Sequence, residues 1–133
     1  MIPVFADTFY CLALLHTDDS AHEAAKAISI GLRVRIITTA WVLAEVANTF
    51  SAAYRRCSVV ALFEAITNDP DVTIVPPSQQ LFEAGVEFYA RHDDKDWSLT
   101  DCISFLVTKE HGILDVLTGD HHFEQAGFRA LLK

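Results

Sequence analysis

Glycine and proline are scarce in this chain, at five and four residues, which argues against long flexible linkers or low-complexity tracts. No apolar run reaches the roughly 20 residues that cross a bilayer, so no membrane-spanning helix is expected. The three cysteines, Cys11, Cys57 and Cys102, are odd in number and far apart. They point away from a disulfide framework or a cysteine zinc site and predict buried thiols in a reducing, cytoplasmic setting. "MIPVFADTFY" has no basic segment ahead of its apolar residues and does not read as a signal peptide. Positive charge is also short: ten Lys and Arg stand against eighteen Asp and Glu, for a net charge of −8. Phosphate contacts need basic side chains, so broad nucleic-acid binding through a basic surface is not expected. A phosphate-bearing ligand must be held locally, by a basic partner, a small arginine patch or a metal ion.

What is present is a core. The 133 residues are 51% hydrophobic, and this length predicts one domain over 1–133 with a proper interior. Strands are expected at "IPVFA" (2–6), "VRIIT" (34–38), "VTIV" (72–75), "DVLT" (115–118) and "FRALL" (128–132). Helices are expected at 7–16, 20–32, 39–55, 58–69, 78–92 and 98–111, with Ser20 and Thr39 as N-caps, and 119–127 is an acidic turn. Short apolar strands alternating with helices predict an α/β sandwich around a mostly parallel sheet, with ligands beyond the carboxyl ends of the strands.

Four carboxylates draw attention there. Asp7 is the only charge between Met1 and Leu15, Glu45 the only one between Ile36 and Tyr54, and Asp101 the only one from Trp97 to Thr108. Asp120 follows the fourth strand, level with Asp7 after the first. A buried carboxylate without a partner is costly and normally pairs or takes a proton. "AWVLAEVANTF" reads as a helix buried nearly all round, and no Lys or Arg lies within helical reach of Glu45. Caps offer an alternative for two of the acids: Ser98 and Asp101 have the spacing of a capping box, and Asp7 could cap its own helix. Glu45 lies too deep in its helix for that. One cause accounts for all four, convergence on a hard dication; oxygen ligands without Cys or His suit Mg²⁺ or Mn²⁺.

The order Asp7, Glu45 in "WVLAEVANTF", Asp101 in "DWSLTDCISF" and Asp120 in "LTGDHHFEQAGF" resembles the PIN domain family, from "VFADTFY" to "GDHHFEQAGF". Many small members of that family are VapC-type toxins. The resemblance implies a three-layer α/β/α sandwich and a Mg²⁺- or Mn²⁺-dependent ribonuclease. Its catalytic and metal-binding residues would be Asp7, Glu45, Asp101 and Asp120, with Thr8, Ser98 and Thr118 orienting carboxylates or waters. It also implies an RNA substrate and a small antitoxin whose basic segment neutralises the acidic site.

A metal-activated water would attack phosphorus in line and leave a 5′ phosphate. Arg33, Arg35, Arg55, Arg56 and Lys95 are candidate grips on RNA, or ordinary surface charges. Acid–base cleavage by His121 and His122 is a rival, weakened by the expectation that adjacent side chains diverge. A PIN nuclease of RNA processing and a non-catalytic interaction module are further alternatives. A phosphoacceptor domain would need a second early acid and a late lysine, which are missing. Ile28, Val59, Leu62 and Phe63 form either a homodimer patch or ordinary core.

Overall fold

A computed structural model describes residues 3–31 and 34–133. Among the described residues, five strands form one sheet: β1 (Val4–Ala6), β2 (Ile36–Thr39), β3 (Val72–Val75), β4 (Asp115–Leu117) and β5 (Arg129–Ala130). Their order is β3-β2-β1-β4-β5 and every pairing is parallel. Parallel neighbours need long crossovers, and seven helices among the described residues supply them. These are α1 (Thr8–Leu15), α2 (His22–Gly31), α3 (Ala40–Thr49), α4 (Ala53–Asn68), α5 (Gln79–Arg91), α6 (Leu99–Glu110) and α7 (His121–Gln125). The chain builds outward from β1 to β2 and β3, then returns to add β4 and β5 on the other side. The strand order therefore reverses between β1 and β4, the place where open parallel sheets bind ligands.

Side-chain alternation along β1 separates the two cores. Val4 and Ala6 face one layer, with Tyr10, Cys11, Ala25 and Val46. Phe5 faces the other, with Trp97, Ile103, Phe105 and Phe123. Helices cover both faces, so the three-layer sandwich holds. In the second layer α5 lies close along α6, because a methyl at Gly85 would collide with the buried Ile103. Among the described residues no helix is long and apolar enough to cross a membrane.

Several expectations need correction. The predicted helix 39–55 is two helices: α3 ends at Thr49, and α4 begins at Ala53, well before Ser58. Thr39 does cap α3, accepting the Val42 amide at 3.1 Å. Ser20 does not start a helix, since α2 begins at His22 and Asp19 accepts the Ala21 amide. The acidic turn contains α7. Cys11 and Cys102 are buried, but Cys57 is exposed, and none is paired. Val59 is buried, and Ile28, Leu62 and Phe63 are half-buried and pack against the first core. The expected strand and helix ends at Ile2 and Leu32 lie outside the described residues.

Candidate active site

Adjacent strands deliver two of the four acids to one end of the sheet. Asp7 follows β1, and Asp120 follows β4 through Thr118 and Gly119. A side chain at Gly119 would strike the Phe9 ring, so this turn packs directly on α1. Asp7 occupies the N-cap position of α1, yet its side chain makes no cap bond. Its Oδ2 instead accepts the Thr118 hydroxyl at 2.9 Å. That hydroxyl also accepts the Asp120 amide at 3.0 Å, which ties the two strand ends together.

Asp7 is 4% exposed. Burial pushes its carboxyl up to about 7, against the pull of the Thr118 hydroxyl and the Thr8 amide; the negative charges of Asp101 and Glu45 push it further up. Asp7, Asp101 and Glu45 therefore share one electrostatic environment.

Asp101 reaches it from α6. The capping box is complete: the Ser98 hydroxyl accepts the Asp101 amide at 3.0 Å, and Asp101 Oδ2 accepts the Ser98 amide at 3.2 Å. Oδ2 also lies 3.1 Å from His122 Nδ1. Burial raises the Asp101 carboxyl above its ordinary range and Asp120 adds to this, while the Ser98 amide and His122 oppose it. Aromatic packing fixes these elements in place. Trp97, just before α6, donates to Gln125 of α7 at 3.0 Å. Edge contacts continue from Trp97 to Phe105 and from Phe105 to Phe123 at 5.0 and 4.9 Å.

Asp120 Oδ1 accepts the His122 amide at 2.9 Å. Asp7, Thr118, Asp120, His122, Asp101 and Ser98 thus form one continuous hydrogen-bonded chain. Glu45 joins it only through charge. Its helix buries only Val42 and Val46, and Glu45 itself is half-buried, so the burial argument made for it from sequence belongs to Asp7 instead. Among the described residues no lysine or arginine lies within 4.0 Å of any of the four carboxylates; their ion-pair partners are histidines.

The histidines depart from expectation. Both imidazoles turn toward Asp120, with Nδ1 of His121 and His122 at 3.6 and 3.5 Å from its Oδ1 and ring centres 4.5 Å apart. Ligand atoms of Asp120, His121 and His122 lie within 4.8 Å of one another, whereas no three of the four acids close to that spacing. His122 is the contact that sequence reasoning set aside, although it stands in the "T-x-D-x-HF" motif. Among the hydroxyls, Ser98 and Thr118 hold the network, and Thr8 Oγ1 is buried without a hydrogen-bond partner.

The basic candidates are engaged locally or stand alone on the surface. Arg55 stacks over Phe50 at 4.5 Å, Arg56 donates to the Ser51 carbonyl, and Lys95 pairs with Asp94. Arg35 is exposed, and Arg33 lies outside the described residues.

Comparison with known proteins agrees with this layout. The chain is 30% identical over 127 residues to the 23S rRNA-specific endonuclease VapC20 of Mycobacterium tuberculosis, covering 94% of this chain and 95% of that one. The crystal structure of Mycobacterium tuberculosis VapC20, described as a sarcin–ricin loop cleaving toxin, superposes with a TM-score of 0.85 at 28% identity, covering 95% and 96% of the two chains. DNA-bound VapBC from Salmonella typhimurium shares the fold, with a TM-score of 0.67 at 13% identity over 98% and 97% of the chains. The PIN domain model matches residues 4–129. With its acids placed at the reversal point of a five-stranded parallel sheet, and with that match spanning nearly its whole length, the chain belongs to the PIN domain family.

Proposed function

We propose that this chain is a Mg²⁺- or Mn²⁺-dependent endoribonuclease, the toxin of a toxin–antitoxin pair, with Asp7, Glu45, Asp101 and Asp120 as its metal-binding and catalytic acids. The observation that carries the reading is Asp7: a buried carboxyl pushed up to about 7, beside two more acids, with no lysine or arginine among the described residues within 4.0 Å of it. The oxygen donor set suits a hard cation, and the unpartnered Thr8 hydroxyl leaves a further buried oxygen beside Asp7. The likeness to an rRNA endonuclease over 94% of the chain supports structured RNA as the substrate class.

A bound dication supplies charge neutralisation at the phosphate and an acidified water. The protein's own groups do the positioning. Thr118 holds Asp7 by one oxygen, the Ser98 amide holds Asp101 by one oxygen, and the His122 amide holds Asp120. Glu45, free of such anchors, adds its charge from the opposite helix.

A toxin needs a silencing partner, and a small antitoxin with a basic segment would match this acidic site. For homodimerisation the exposed apolar side chains are Phe82, Val86 and Tyr89 of α5, 40–51% exposed, and Ile30 of α2 with Tyr54 and Val60 of α4, 53–78% exposed.

The test is cleavage of an RNA containing the sarcin–ricin loop with Mg²⁺, with Mn²⁺ and with a chelator. Cleavage is expected in both metals and should be lost on chelation. Cleavage that survives the chelator would transfer the chemistry to His121 and His122.

A further inference from the structure

Beyond the four acids themselves, a cluster of metal-ligating side chains at the start of α7 joins one of them, Asp120, to two histidines. We propose that Asp120, His121 and His122 form a second cation seat, one that selects a borderline transition ion such as Zn²⁺ over Mg²⁺. Two imidazole nitrogens and one carboxylate are the donor set that zinc, cobalt and nickel favour, while Mg²⁺ prefers oxygen and keeps its waters.

Distances support this. Zinc bonds of about 2.0–2.2 Å place tetrahedral ligands about 3.3–3.5 Å apart. His121 Nδ1 and His122 Nδ1 lie 3.6 and 3.5 Å from Asp120 Oδ1, so two edges of such a tetrahedron are already near length. All three ligand atoms fall within 4.8 Å of one another. The side chains of Asp120, His121 and His122 are 31%, 63% and 21% exposed, open to an ion from solvent.

The seat shares atoms with the acidic network. His122 Nδ1 also faces Asp101 Oδ2 at 3.1 Å. An ion taken by that nitrogen displaces this contact and leaves Asp101 held by the Ser98 amide alone. The imidazoles face Asp120 Oδ1, so this one carboxylate is shared between the seat and the acidic network. Zinc at this seat therefore releases Asp101 from His122.

The test is calorimetric titration of Zn²⁺ into the full chain, repeated with Co²⁺, whose visible absorption reports nitrogen ligation. One zinc per chain is expected, with affinity at least about tenfold weaker in His121→Ala and retained in Asp7→Asn. His121 is a surface residue, so that variant should stay folded, as its unfolding curve will show. His122→Ala should lose the cobalt spectrum. Absence of zinc binding, equal affinity in His121→Ala, or loss in Asp7→Asn alone would overturn the proposal. Mg²⁺-dependent cleavage measured without zinc is a separate readout, so the nuclease reading stands or falls independently.

Discussion

Helices α3 and α6 each carry an acid within an apolar stretch, Glu45 and Asp101, and they treat it in opposite ways. On α6, Asp101 is 8% exposed and belongs to the capping box that begins the helix. On α3, Glu45 is half-buried in mid-helix, and no hydrogen bond or ion pair is recorded for its carboxylate among the described residues. One acid is part of the scaffold as well as of the candidate site; the other makes no bond that holds its helix. An unpartnered charge that the fold does not need is the stronger sign of function, whereas a charge that also caps a helix must be judged by what else it touches. Asp101 passes that test through His122 and through its electrostatic link to Asp7.

Substitutions can break this comparison. Glu45→Gln should cut metal-dependent cleavage by roughly 10³-fold, the equivalent of several kcal/mol of lost charge stabilisation, while leaving the metal-free melting temperature unchanged. Ser98→Ala should do the reverse. Losing the N-cap costs about 1 kcal/mol, or about 4 °C in a chain of this length, and cleavage should fall only about 10–100-fold because Asp101 is displaced rather than removed. Cleavage assays and thermal unfolding of both variants decide it. Equal losses of melting temperature would end the distinction.

Asp7 sharpens the comparison through pH. Its folded carboxyl lies near 7, above the ordinary value of 3.8. Between those values the native state holds a proton that the unfolded chain has released, so stability from this group falls as pH rises through that window. The penalty is complete above about pH 7 and absent below about pH 4, and its size is of the order of a few kcal/mol. Asp7→Asn should therefore raise the metal-free melting temperature at pH 8, have little effect at pH 4, and abolish cleavage. A variant less stable than the parent at pH 8 would contradict this.

The smallest expected effect is at Thr118. Removing its hydroxyl in Thr118→Val takes away the bond that lowers the Asp7 carboxyl, so the acid limb of the pH–rate profile should move to higher pH. An unmoved limb would mean that Asp7 does not govern cleavage.

Much of this was legible in the sequence for physical reasons. β-Branched runs between helices announced the strands, and lone charges in apolar surroundings announced the acids. The Ser98–Asp101 spacing announced the cap. The break at Phe50-Ser51-Ala52 was not visible, because nothing between Thr39 and Arg55 is a strong helix breaker and the interruption contains neither glycine nor proline. Glu45 was read as buried because helical periodicity counts neighbours along one helix and cannot see which face the fold leaves open. The convergence of His121 and His122 was missed for a related reason. Adjacent side chains diverge in an extended helix, but at the first turn of a five-residue one both rings reach back to the capping Asp120.

Each anchored carboxylate in the network has one oxygen already engaged: Asp7 Oδ2 by Thr118, Asp101 Oδ2 by Ser98 and His122, and Asp120 Oδ1 by the His122 amide. Among the described residues the other oxygen of each accepts no hydrogen bond, which favours one-oxygen ligation of a cation. A cation held that sparsely keeps vacant positions for phosphate oxygens, and by the same arithmetic its grip in the resting protein is weak. In the proposed nuclease such a centre would reach its full complement only when RNA arrives, which would couple metal retention to substrate binding.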